Sequence, residues 1–267
     1  MGRLGIIAGA GRVPAAAFGK ARELGRDPFV LSLIETGAPA DLDAVGLPHE
    51  PLSIAQPQAA LDRLRAAGAS EVLIVGKIPN ELHFEGHAFD ERALAILARM
   101  QSRLDRDLFA ALAEELEAEG IAVAGQSAYL ADFLVPAGVV CGAGVPAGKE
   151  ALARKALDTA RAIAGLDVGQ AVIFREGVAV AVEAFEHTSE AIRRAGRLAG
   201  GGLWVAKAAR PNQDDRFDVP AAGEETIRVM GEAGAVLLLL EAGRVFLFDR
   251  PEAVRAASER GISIVAM

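Results

Sequence analysis

The sequence predicts an α/β fold, with an N-terminal Rossmann-like parallel-sheet domain followed by a mixed α/β C-terminal domain. Three observations lead there. Short runs rich in Ile, Val and Leu alternate with helical segments through the first half, a glycine- and proline-rich stretch from Gly125 to Gly148 breaks that rhythm, and a hairpin signal follows it.

In chain order, Leu4 to Ala8, Pro28 to Leu33, Glu71 to Val75 and Ile121 to Ala124 read as strands. Segments of helical period such as Val13 to Leu24 separate them, which makes βα units. Asp105 to Gly120 repeats Leu or Phe at helical spacing and stops on a glycine, as a surface helix does. The domains are read as residues 1–135, a linker 136–148, and a catalytic unit 149–267 that opens with a helix from Lys149 to Ala164. QAVIFREGVAVAVEAF reads as strand, tight turn at Glu176 and Gly177, and strand. Further strands are expected at Leu203 to Ala206, Val236 to Leu240, Val245 to Phe248 and Ile262 to Val265. Helices are expected at Ser189 to Leu198, Glu224 to Glu232 and Pro251 to Arg260.

Composition narrows the function. A net charge of −8 over 267 residues lacks the basic footprint of a nucleic-acid binder, so no nucleic-acid partner is expected. Cys141 is the sole cysteine, which rules out an internal disulfide or a cysteine-rich zinc site and suits a reducing cytoplasm. The start, MGRLGIIAGAGRVP, fits a buried first strand better than a signal peptide, and the apolar run Ala235 to Leu240 is too short to span a bilayer. A soluble cytoplasmic protein is expected.

Four segments carry candidate chemistry. In IIAGAGRVP, Gly9 and Gly11 let the backbone turn tightly and Pro14 presets a helix start, so amides there can meet an anion. With Glu35 as the acidic residue after the second strand, a nicotinamide site stays open, and so does a plain structural turn. VGKIPN places Lys77 and Asn80 beyond the third candidate strand, near that turn if the strands are neighbours; a solvated lysine is the alternative. In VAVAVEAFEHT, Glu183 interrupts an apolar alternation, and a carboxylate there needs a partner unless it sits solvated at an edge. Glu186 and His187 follow, and Thr188 is placed to cap the next helix. KAARPNQDDRFDVPAAG spells D-D-x-x-D with Asp214, Asp215 and Asp218, a pattern that on a helix would gather carboxylates for hard cations. Pro211 and Pro220 bracket it, so a long placed loop is the reading, with disorder as the alternative.

Taken together, LGIIAGAGRVP, GKIPN, LDVGQAV, AVEAFEHT and the arrangement Lys207, Arg210, Pro211, Gln213, Arg216, Asp218, Pro220 resemble the UDP-2,3-diacylglucosamine pyrophosphatase family once catalogued only as a domain of unknown function. The resemblance implies Mg²⁺-dependent hydrolysis of a lipid-linked UDP-sugar to UMP and 2,3-diacylglucosamine 1-phosphate (lipid X), a step in lipid A synthesis, with water attacking the α-phosphorus. It implies a substrate chamber between two domains. It maps the family's essential aspartate onto Asp218 and does not carry over Asp214 or Asp215. Two departures stand out: His187 where the family commonly has glycine, and Ser189 where an acidic residue is frequent.

On that footing Asp218 holds or orients Mg²⁺ and its water, with Glu183 and Glu186 as further metal candidates. Lys207 and Lys77 offset phosphate charge, Gln170, Gln213 and Thr188 donate hydrogen bonds, and the Gly9 to Gly11 turn meets the nucleotide. The acyl chains require an apolar groove that the sequence does not locate. An amphiphilic product makes transient contact with the inner-membrane surface an expectation, and a homo-oligomer remains open. Two rivals are a nicotinamide-dependent oxidoreductase, weakened by the missing third glycine, and a noncatalytic nucleotide-sugar or lipid-binding protein with the acidic loop as a lid.

Overall fold

The computed structural model describes residues 2–78, 88–100 and 105–267, apart from the side chains of 105–107. It divides into two compact units. The first comprises Met1–Ala131 with Asp214–Asp218, and the second Asp132–Gln213 with Val219–Met267.

The first unit runs β1 (Arg3–Ala8), α1 (Val13–Glu23), β2 (Pro28–Leu33), α2 (Ala38–Asp43), β3 (Glu50–Leu52), α3 (Pro57–Ala66), β4 (Ala69–Val75), α4 (Glu91–Arg99), α5 (Asp105–Ala118), β5 (Ala122–Val123) and α6 (Ser127–Leu130). Among the described residues its five strands are all parallel, in the order β3-β2-β1-β4-β5. Helices cover both faces of such a sheet, which is why β1, β2 and β4 read as near-continuous apolar runs. The strand order reverses between β1 and β4, and in open parallel sheets ligands gather beyond the carboxyl ends at that point.

The second unit runs β6 (Gly138–Cys141), α7 (Glu150–Gly165), β7 (Ala171–Arg175), β8 (Val178–Val182), α8 (His187–Ala199), β9 (Leu203–Lys207), β10 (Ala221–Ala222), α9 (Glu224–Glu232), β11 (Ala235–Leu240), β12 (Phe246–Leu247), α10 (Arg250–Glu259) and β13 (Ser263–Ala266). Six strands form a mixed sheet in the order β6-β13-β11-β9-β7-β8, while β10 and β12 pair separately. The stretch read as a linker supplies β6, which pairs antiparallel with β13. Glu176 and Gly177 both take positive φ, 51° and 83°, as a two-residue hairpin turn requires. Along β11, Leu237 and Leu239 pack with Ala153 and Leu157 of α7. Leu238 and Leu240 pack with Ile192 of α8 and Ile227 of α9. A strand buried on both faces has no polar position to offer, hence four consecutive leucines.

The first unit is also tied by a polar triangle. Arg26 donates to the Tyr129 hydroxyl at 2.7 Å, the hydroxyl donates to Glu71 at 2.9 Å, and Arg26 pairs with Glu71 at 2.7 Å. Burial, and then the bond to Glu71, push the phenol up to about 12. Replacing Tyr129 by Phe is expected to cost about 1–2 kcal/mol in urea unfolding at neutral pH. The folded value lies above the ordinary ~10, so this contribution is complete below pH ~10 and is lost as pH rises through about 12. The gap between wild type and Tyr129→Phe therefore narrows across that window, and a constant gap would remove the phenol from the account.

Candidate active site

At the carboxyl ends of β1 and β4 two backbones cross. The Gly9 amide donates to Val75 O at 2.8 Å, and Ala10 and Lys77 exchange amide bonds at 2.9 Å each. A Cβ on Gly9 would sit 2.5 Å from Lys77 O, and one on Gly76 2.6 Å from Gly9 C. Glycine is required at both positions by that approach. Gly11 is left-handed, and its amide donates to Asp41 at 2.6 Å. Lys77 is exposed where the chains cross, as expected from neighbouring strands, while Asn80 lies outside the described residues. Glu35 accepts bonds from the Ser53 hydroxyl and from the Ile54 amide at 3.0 Å, so its carboxylate organises the turn before α3. A nicotinamide ribose would have to compete with those donors.

In the second unit the carboxyl ends of β8 and β9 carry a buried relay. Glu183 is 8% exposed and Lys207 7%. The Gln170 amide donates to Glu183 Oε2 at 3.0 Å, and the Thr188 hydroxyl donates to Oε1 at 2.5 Å. The same hydroxyl accepts from Lys207 Nζ at 2.8 Å. Thus Glu183 is not solvated at an edge. Thr188 is not the helix cap expected of it, because α8 begins at His187 and the hydroxyl turns back toward Glu183. Gly169 permits this contact, since a Cβ there would lie 2.1 Å from the Glu183 carbonyl oxygen. Each oxygen of Glu183 already accepts a protein bond beside an ammonium, a poor setting for a second cation. Glu186 is held by Arg194. Burial pushes its carboxyl up, but the Arg194 bond and nearby backbone donors outweigh that and leave it below the usual range.

The loop after β9 is clamped by residues the sequence reading missed. Buried Glu241 accepts from the Ala209 amide at 2.9 Å and from Arg161 at 3.0 Å, and Arg244 donates to the carbonyls of Arg210 and Pro211 at 2.5 and 3.2 Å. Asp167 receives Arg210 at 2.7 Å, and Gln213 accepts from the Arg210 amide at 3.4 Å. A charged residue directly after four buried leucines is the one signal that marked Glu241.

Residues 214–218 are a coil, as the bracketing prolines require. Asp215 accepts from the amide and hydroxyl of Ser127, Asp214 pairs with Arg216 at 2.8 Å, and Phe217 stacks on Phe109 at 5.5 Å. The bond from Arg216 holds the Asp214 carboxyl below its ordinary range. The D-D-x-x-D spacing therefore serves anchoring, and among the described residues no group of three His, Cys, Asp or Glu is placed to hold a metal. Asp218 is exposed, with φ at 55°.

A second constellation has the look of a catalytic triad. Ser32 Oγ lies 2.7 Å from His49 Nδ1, and His49 Nε2 lies 3.1 Å from Asp43. Ser32 is fully buried, so this serine cannot meet a substrate and the chain of bonds is structural. The first unit also holds an apolar cavity of about 100 Å³.

Residues 3–133 match the LpxI N-terminal domain and residues 136–265 the LpxI C-terminal domain. The chain belongs to the LpxI family. It is 31% identical, over 279 aligned positions, to the UDP-2,3-diacylglucosamine pyrophosphatase LpxI of Caulobacter vibrioides, covering all of this chain and 98% of that protein. Among the described residues of this LpxI family member, no helix is long and apolar enough to cross a membrane.

The departure at His187 has a backbone meaning. Its φ is 66°, in the left-handed region that favours glycine. His187→Val should be less stable than His187→Gly by about 1–2 kcal/mol in urea unfolding, because branching at Cβ is worst tolerated there. The reverse order would remove the left-handed assignment.

Proposed function

We propose that this chain hydrolyses UDP-2,3-diacylglucosamine to UMP and 2,3-diacylglucosamine 1-phosphate, a step of lipid A synthesis. Family membership supports the reaction class, and the buried Lys207–Thr188–Glu183 relay is the observation that carries the reading. An ammonium fixed in a low-dielectric setting stabilises an anionic phosphoryl group far more than a solvated one does. Glu183 acts through Thr188 to aim that ammonium, so we assign it to positioning rather than to metal.

Water adds to the α-phosphorus, the bond from that phosphorus to the bridging oxygen breaks, and the oxygen leaves with the sugar phosphate while one proton is released. Asp218, an exposed carboxylate, is the residue proposed to hold Mg²⁺, a hard cation for which one or two carboxylates would suffice. When bound, the ion would neutralise diphosphate charge and lower the pKa of its water. Gln170 and Gln213 are proposed to donate hydrogen bonds to the substrate, and Lys77 to offset its charge near the crossing at Gly9 and Gly11. The substrate places the work in the cytoplasm, with transient contact at the inner-membrane surface through the acyl chains.

Asn tolerates the left-handed backbone at 218, so Asp218→Asn isolates the charge. It is expected to fold normally and to release UMP at least about a hundredfold more slowly, and the wild type to fall silent in EDTA and recover with Mg²⁺. Undiminished turnover in the variant, or in chelator, sinks the corresponding assignment. Thr188→Val keeps the shape but breaks the relay, and should lower kcat/KM by about 10–100-fold, with Thr188→Ser restoring most of it. If Val and Ser behave alike, the hydroxyl has no such part.

A further inference from the structure

We infer that the apolar cavity of the first unit is the subsite for one acyl chain of the substrate, an inference that rests on the hydrolysis proposed above. Four parallel strands each deliver hydrocarbon to it at their carboxyl ends: Ile7 from β1, Leu33 from β2, Leu52 from β3 and Ile74 from β4. That edge is where ligands of parallel sheets bind, and Ile7 and Ile74 stand only two residues before Gly9 and Gly76 of the backbone crossing. Helices α4 and α5 form the opposing wall with apolar side chains, and Ser53 and Gln56 are the polar members of the lining.

The lining chooses the ligand class. A nucleotide would find too few polar partners there, whereas a pocket with this apolar lining accepts apolar guests. The space also has an outer brace. Arg92 of α4 reaches Glu115 and Glu119, on α5 and just beyond its end, at 2.6 Å each, and Arg99 reaches Glu115, so ion pairs hold the two wall helices together. At about 100 Å³, the cavity admits roughly three or four methylenes, each taken as about the size of a water molecule. That is the end of one chain, not two.

Each buried methylene contributes a factor of about four in binding, so three or four separate long from short chains by roughly sixtyfold to two-hundredfold. The test uses the full chain and UDP-diacylglucosamines bearing two six-carbon, two fourteen-carbon or two eighteen-carbon acyl groups, with UMP release as readout. Ala93→Phe fills the cavity and should lower the ratio of long-chain to short-chain kcat/KM by about tenfold or more. Leu97→Ala, a milder change at the rim of the wall, enlarges it and should move the preference toward chains longer than fourteen carbons. A ratio unchanged in both variants overturns the subsite, and Leu97→Ala decides alone if Ala93→Phe does not fold. Should the wild type release no UMP from either compound, the hydrolysis reading fails, and the subsite is read separately by cis-parinaric acid fluorescence. Binding weakened about tenfold by Ala93→Phe upholds the hydrocarbon site, and equal or absent binding removes it.

Discussion

Lys207 is buried at the end of β9, and a charge there needs an acceptor. That constraint organises the second unit around the ends of β8 and β9. Thr188 supplies the acceptor, and its hydroxyl is available for this because α8 starts two residues earlier than a threonine cap would have it. Glu183 in turn balances the charge through the same hydroxyl while taking the Gln170 amide. The Gln170 carbonyl then receives the Ala208 amide at 3.0 Å, so one residue ties the edge hairpin to the strand that carries the lysine.

From Ala208 the chain passes into a loop with no ladder of its own, and its backbone groups must find partners elsewhere. Glu241 and Arg244 meet that need at its start, where one carboxylate takes an amide and one guanidinium takes two carbonyls. Farther on, Asp215 takes the Ser127 amide and Phe217 is buried against Phe109. Asp218 follows directly on a residue held that tightly. Its neighbours in sequence are fixed while its own side chain stays exposed, which is the condition for a carboxylate to be both positioned and reachable.

Much of the fold was legible because the signals were local. The turn at Glu176 and Gly177, the doubly buried leucines of β11 and the coil between Pro211 and Pro220 follow from rules spanning a few residues. What escaped was either short or long-range. Strand β3 is three residues with a proline, tolerated because it lies at the sheet edge. Arg161 and Glu241 are 80 positions apart, and nothing in either neighbourhood names the other. Thr188 was read as a helix cap, and its hydroxyl instead serves Glu183 and Lys207, since capping and relay demand the same side chain. The cavity had no sequence signature at all, because a void is made by residues that fail to meet.

Two features of this chain work against stability: a buried lysine, and left-handed backbones at His187 and Asp218. Left-handed non-glycine residues each cost of order 1–3 kcal/mol and persist only where surrounding contacts over-determine them. Here those contacts are identifiable. The relay fixes the residues around His187, and the anchors of the 214–218 segment fix the approach to Asp218. Their chemistry also divides. Hydrocarbon burial is equal before and during bond breaking, so an acyl subsite would set affinity, whereas a fixed ammonium gains value as charge grows on phosphoryl oxygens. On the readings proposed above, the apolar pocket would select the lipid and the fixed ammonium would accelerate bond breaking, so the two tasks would rest on separate elements.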